Sequence, residues 1–331
     1  CTIGKTCTTV NVNTTLGFTV QLRDEFSNRV IDQTKTEVVV AQSSLSLAHA
    51  FGGSANASWV NATRLTDGEF LVHARRTTAG VYDIEVRLVE LVSGAFAANA
   101  NGTKVGAISL ALNPGDVSAA ESVLMPSNAA ECNLGVICAN VTAGEVVAFT
   151  AQTRDVFSNN RDQDGGTLLY STTDSPTEAA AIPQGDGKYT FTIIFQTSGD
   201  QVLSASMQDV ELKNSPTMVR VTPAAASAPE SEVLRDGMLY AAGSTCGDPL
   251  VAGVTVNLTL STYDQYGNAR FKSGGEVCAY TVTSDATTTV TYTATDLGNG
   301  VYLLTMNLGI VEEYTVEVKL GSNEVSNSGF K

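Results

Sequence analysis

The chain has 331 residues, 43% hydrophobic and 16% charged, with a formal net charge of −15 at pH 7. That apolar share excludes a disordered chain, and the acidity excludes a general electrostatic grip on nucleic acid or on an anionic membrane surface. No run of about 18 apolar residues is present, so no helical span of a bilayer and no direct membrane insertion are expected.

Thr, Val, Ala and Ser dominate, and no segment sustains an i, i+3, i+4 apolar pattern, so the predicted elements are strands. The opening CTIGKTC is not a signal peptide, and any targeting segment is expected to lie outside this sequence. LGFTVQL (16–22) alternates apolar and polar residues and ends in RDEFSN (23–28). A long stretch follows, SSLSLAHAFGGSANASWVNAT (43–63), then DGEF (67–70) and AGVYDIEVRL (79–88), each a turn opening a strand. LNPGDVSAAES (112–122) reads as a linker.

The pattern then recurs. VVAFTAQT (146–153) leads into RDVFSN (154–159), DGKY (186–189) and SGDQVLSASM (198–207); TPAAASAPESE (222–232) is a second linker. VTVNLTLST (254–262) leads into YDQYGN (263–268), NGVY (299–302) and VEEYTVEVKL (311–320). In register, Phe18, Phe149 and Leu258 share one inward place, and Val20, Ala151 and Leu260 the next. Short strands with turns about every ten residues, in three copies, predict an all-β chain of three tandem immunoglobulin-like β-sandwich domains of about 100 residues each, with limits 1–113, 114–223 and 224–331. The first copy lacks the Ala/Ser-rich leader strand of the others and is expected to start partway into a domain of a larger protein. The linkers are short, so the domains are expected to be semi-rigid in tandem.

These residues resemble filamin-type immunoglobulin-like repeats. The third copy carries YDQYGN, Gly274 and Gly275, NGVY, EYTVEV and the closing SNSGFK; the second carries RDVFSN, Gly165 and Gly166, DGKY and KNSPTMVRV (213–221). The first copy lacks the double glycine and the closing Ser-Pro. The resemblance implies a non-catalytic protein-binding domain, with strand addition at a sheet edge as a known mode. Similar repeats occur in gamete-surface adhesion proteins of plants and algae. The Asp-x-aromatic-Ser/Gly-Asn hexamers and the glycines after them read as structural turns.

Six cysteines, two per copy, predict one disulfide per domain: Cys1–Cys7, Cys132–Cys138 and Cys246–Cys278. Cys7, Cys138 and Cys246 hold one repeat position, and no Cys-x-x-Cys is present. A five-residue loop gains only ~2 kcal/mol from closure on the chain-entropy account. Asn-x-Ser/Thr sequons at Asn13, Asn56, Asn61, Asn101, Asn140 and Asn257 predict N-linked glycans. Alternation with Leu258 and Leu260 sets Asn257 toward water. Paired cysteines and sequons together point to the secretory pathway and an extracellular or cell-surface place. The cytosolic filamins that crosslink actin do not rely on such disulfides.

No catalytic, cofactor or metal motif is present. His49 and His73, the only histidines, read as structural or surface residues. RDQDGG (161–166) resembles a Ca²⁺ loop but lacks its later ligands and bidentate Glu, and reads as a turn. The acidity reads as solubility and mutual repulsion, with Ca²⁺ collection by acidic loops as the sharper alternative. Trp59 reads as a satellite core residue under the long stretch. The function expected is a rod of domains serving as extracellular spacer and protein-binding surface. Its partners are expected to be other proteins: copies of itself stacked head-to-tail, or a cell-surface partner joined by strand addition. The alternatives are an intracellular actin-crosslinking scaffold and the accessory part of a surface enzyme.

Overall fold

The structure, a computed structural model, describes the chain except residues 1–5, 24, 30–36, 46–57, 62, 66–68, 91–102, 128–130, 240, 246–249, 273 and 286–287. The described residues fold as strands and turns, in three successive pairs of sheets, each pair enclosing its own hydrophobic cluster. This is an immunoglobulin-like sandwich architecture throughout.

The second sandwich shows the plan most fully. One sheet orders Ile137–Thr142, Thr217–Thr222, Gly199–Met207, Leu168–Thr172 and Ala179–Ala180. The other orders Ile182–Pro183, Lys188–Ile194, Val146–Asp155 and Val117–Pro126. Ile137–Thr142 runs parallel to Thr217–Thr222, and the other pairings are antiparallel. Period-2 alternation fills the interior: Phe149 and Ala151 are fully buried beside Tyr189, Phe191 and Leu203. Phe191 stacks on Tyr170 at 4.1 Å between ring centroids.

The third sandwich repeats this with Ala226–Arg235, Thr255–Asp264 and Val301–Asn307 facing Thr289–Thr293, Cys278–Ser284 and Tyr314–Leu320. Leu258 and Leu260 are buried as their alternation requires. In the first sandwich Leu16–Gln21 pairs with Glu69–Ala74, and Phe18 and Val20 pack against the core. Among the described residues, no strand lies on the outer side of Leu16–Gln21, where the other two sandwiches have their leader strand.

The Asp/Asn-Gly turns have a steric reason. Gly187 holds φ +74°, and a Cβ there would sit 2.3 Å from the Arg161 carbonyl oxygen; Gly300 holds φ +78° and meets the Arg270 carbonyl at the same 2.3 Å. The closing Asn-Ser pair is a clamp. Buried Asn214 accepts from the Leu124 amide and donates to the Leu124 and Cys132 carbonyls, each at 2.7 Å. Asn327 makes the same reciprocal pair with Val233, at 2.8 and 2.7 Å. Each clamp ties the end of a sandwich to its leader strand and satisfies buried backbone groups.

Candidate functional site

The hexamers do more than turn the chain. In the second sandwich Asp155 is fully buried at the end of its strand. Its carboxylate accepts from the Phe157 and Asn159 amides, both at 2.9 Å, from the Asn159 side chain at 2.8 Å, and from the linker amide of Gly115 at 2.8 Å. Asn159, held this way, reaches into the first sandwich. Its Nδ2 donates to the Thr77 carbonyl at 2.7 Å and its Oδ1 accepts from the Ala79 amide at 2.9 Å. The Phe157 ring packs on the first sandwich's core, and the Arg161 guanidinium donates to the linker carbonyl of Gly115.

The next hexamer builds the same joint one domain on. Asp264, also fully buried, accepts from the amides of Tyr266 at 2.9 Å, Asn268 at 3.0 Å and the linker residue Ala224 at 2.8 Å. Asn268 donates to the Gln196 carbonyl at 2.7 Å and accepts from the Ser198 amide at 2.8 Å, both in the second sandwich. Burial by itself would raise the Asp264 carboxyl. The Asn268 side chain and the three amides outweigh that and hold its pKa below the ordinary carboxylate range. Tyr266 packs on the second sandwich's core, and its hydroxyl closes over Gly144, where an added Cβ would meet it at 2.2 Å.

The two joints lie at opposite ends of one strand. Val146–Asp155 begins beside the Gly144 turn that Tyr266 covers and ends at Asp155, which organises the previous joint. A ten-residue strand therefore spans the domain from joint to joint, about 33 Å at the usual rise. Consecutive sandwiches are stacked end to end.

The remaining sequence-derived sites fall as follows. Cys132 and Cys138 form a disulfide with Cα atoms 5.0 Å apart, at the leader-strand side of the second sandwich. Cys278 is buried in the third core with no disulfide partner among the described residues, and burial pushes its thiol pKa up to about 11. It takes the place of Leu168: each opens the strand facing Met207 or Leu320, and each carbonyl accepts from an alanine amide, Ala181 or Ala294. Its expected partner Cys246 lies outside the described residues, as do Cys1, the side chain of Cys7, Asn56, Asn101, His49 and the Trp59 side chain. Asn140 and Asn257 are exposed, and Asn61 lies in the strand Ser58–Asn61. Asn13 is half-buried in a turn at φ 65° and accepts from the Arg75 guanidinium at 2.6 Å. His73 is exposed. In RDQDGG the Asp164 carboxylate accepts from the Gly185 amide at 3.1 Å, and the Gly165 amide donates to the Tyr189 hydroxyl at 3.0 Å. Among the described residues no group of three or more His, Cys, Asp or Glu is placed to hold a metal, and no helix is long and apolar enough to cross a membrane.

The hexamers' reach into the preceding domain is not visible in the sequence, since it joins residues about 70 to 80 positions apart. Their sequence signal is recurrence at one repeat position, about 30 residues after each linker.

No family model matches the chain, and a search of curated proteins gave no match. Among solved structures it is similar to FdeC, an Escherichia coli adhesin, at 18% identity and TM-score 0.46, covering 97% of this chain and 93% of that one. It is similar to Yersinia pseudotuberculosis InvD at 18% identity and TM-score 0.42, over 97% and 96% of the two chains. Invasin, described as a bacterial integrin-binding protein, aligns at 12% identity and TM-score 0.44, over 97% of this chain and 58% of its own. At these TM-scores the likenesses carry no argument about function.

Proposed function

We propose that the chain is a non-catalytic structural and adhesion module of the cell surface: a rod of filamin-like immunoglobulin domains, 1–113, 114–223 and 224–331, that spaces and presents protein-binding surfaces. The observation that carries this reading is the repeated joint. Asp155 with Asn159, and Asp264 with Asn268, lock each sandwich onto the one before through bonds to backbone rather than through a mobile tether. A chain that spends buried, fully partnered Asp and Asn residues on its joints is built to hold an extended shape. The proposed disulfides and glycans at the six sequons suit the outside of a cell, and the exposure of Asn140 and Asn257 leaves both open to modification.

The test is intact-protein mass spectrometry on material from the native source, with and without reduction and glycosidase. Sugar on Asn140 or Asn257 with closed disulfides is the expected result. Six free thiols and bare asparagines would overturn the extracellular reading and favour an actin-crosslinking scaffold.

A further inference from the structure

In the third sandwich the sheet built on Cys278–Ser284 and Tyr314–Leu320 ends sideways in the strand Thr289–Thr293, and among the described residues no strand pairs with its outer side. Its inner pairing fixes which groups face out. The Ser284 amide donates to the Thr288 carbonyl and the Ala294 amide to the Cys278 carbonyl, so the even-numbered residues bond to Cys278–Ser284. By antiparallel alternation Thr289, Thr291 and Thr293 turn their N–H and C=O groups away from the sheet. The register runs unbroken from Thr283 opposite Thr289 to Ala279 opposite Thr293. Tyr292 stacks on Tyr280 with ring centroids 5.1 Å apart, and the Thr283 and Thr289 hydroxyls lie 3.2 Å apart, so the strand is held firmly on its inner side.

Natural sheets blunt such edges with short strands, charges, prolines or bulges. The counterpart edge of the second sandwich is blunted: Ala179–Ala180 is two residues long, follows Glu178 and gives way to Ile182–Pro183. The counterpart in the first, Ser58–Asn61, ends on a sequon asparagine. Thr289–Thr293, TVTYT, is five residues long and carries no charge, no proline and no bulge. Its residues are exposed except Tyr292, which is half-buried.

We propose that this edge pairs with the same edge of a second copy of the chain, antiparallel and centred on Thr291, so that two rods join side to side through one continuous sheet. The strand is its own complement. About a two-fold axis at Thr291, Thr289 faces the partner's Thr293, and every outward N–H meets an outward carbonyl. Between these pairs Val290, 42% exposed, meets the partner's Tyr292, and apolar contact covers both. The seam itself sets no like charges together, although each copy carries −15 overall. The contact is isologous and closes at two copies, since the other end of the sheet, Asn323–Glu324, is two residues long. It rests on the reading of the chain as a rod with protein-binding surfaces, and names one such surface and its partner.

Sedimentation equilibrium tests this. One edge strand buries little area, so the contact is weak. The weight-average mass should rise from 34.5 kDa toward twice that between about 10 μM and about 1 mM. Added salt should strengthen the rise, because it screens the repulsion between two acidic chains. Thr291 lies on the two-fold axis, so Thr291→Lys and Thr291→Glu each set like charges face to face and should stay monomeric, while their equimolar mixture should recover the dimer. Thr291→Pro removes an outward N–H without breaking a bond to Cys278–Ser284, and should also stay monomeric. The side chain is exposed, so all three variants should unfold near the wild-type temperature. A wild type that stays monomeric, association that runs past two copies or weakens with salt, variants that associate alone like wild type, or a mixture that stays monomeric would each overturn the proposal. A monomer in this experiment would leave the rod itself standing, because the radius of gyration of the monomer reads it independently.

Discussion

Asn268→Ala removes the crosspiece of the joint between the second and third sandwiches. It deletes a donor 2.7 Å from the Gln196 carbonyl and an acceptor 2.8 Å from the Ser198 amide. At about 1 kcal/mol net for each neutral hydrogen bond, the joint loses about 2 kcal/mol. That is roughly a 30-fold rise in the open-to-closed ratio of the joint at 1.36 kcal/mol per decade. The variant also takes a side-chain donor, at 2.9 Å, from buried Asp264, a charge-assisted bond worth ~1.5–3 kcal/mol that falls on the corner of the third sandwich itself. Tyr266→Ala separates the two effects, because it leaves the Asp264–Asn268 ring in place and removes only the aromatic cover from Gly144 and Phe195. The assay is limited proteolysis of the linker around Pro223, read beside thermal unfolding. Both variants should speed cleavage there severalfold or more, with Tyr266→Ala leaving the unfolding of the third sandwich nearly unchanged. Linker cleavage at the wild-type rate in both would refute the reasoning.

Three other outcomes follow from the same contacts. Asp264 has a depressed folded-state pKa, so its contribution is present above the unfolded value of about 4 and is lost as pH falls through the lower folded value. Linker cleavage by an acid-active protease should therefore accelerate below about pH 4 and not between pH 5 and 8. Asn214→Ala leaves the Leu124 amide and two carbonyls buried without their partner, and should lower the stability of the second sandwich by ~3 kcal/mol in denaturant unfolding. Gly144→Ala should open the joint and raise linker cleavage, because its Cβ would displace Tyr266; Gly253→Ala, in the same left-handed conformation with open space around it, should cost only the backbone strain of ~1 kcal/mol and leave linker cleavage unchanged.

Much of the fold was legible because its signals are local. Phe149 and Ala151, and Leu258 and Leu260, alternate with polar residues, and a two-residue period can bury only one face. The Gly187 and Gly300 turns were legible for a related reason, since Asn-Gly and Asp-Gly report a backbone conformation other residues resist. The hexamer read as a turn, and it is one: Asp264 accepts from the amides of Tyr266 and Asn268 within it. What local reasoning could not supply is that Asn268 then faces another domain, because that depends on how two folded bodies meet. The closing Ser-Pro of KNSPTMVRV and its counterpart in SNSGFK were family marks in the sequence, but the clamp is the Asn before each serine, and Val233, the partner of Asn327, is 94 positions away. Cys278 was read only as a disulfide partner, and its place in the core, shared with Leu168, came from strand register.

The central claim is that the domains are held end to end, and small-angle X-ray scattering on the monomer at low concentration tests it most directly. Three domains in series, each about 33 Å from joint to joint, make a rod of ~100 Å or a little more, with a radius of gyration near ~30 Å. A chain of this length collapsed into one globule has a radius of gyration of ~20 Å. The account predicts the larger value, with a rod-like distance distribution that shortens in Asn268→Ala. A wild-type value near that of the globule, or a distribution that does not change when Asn159 and Asn268 are both replaced by alanine, would contradict it.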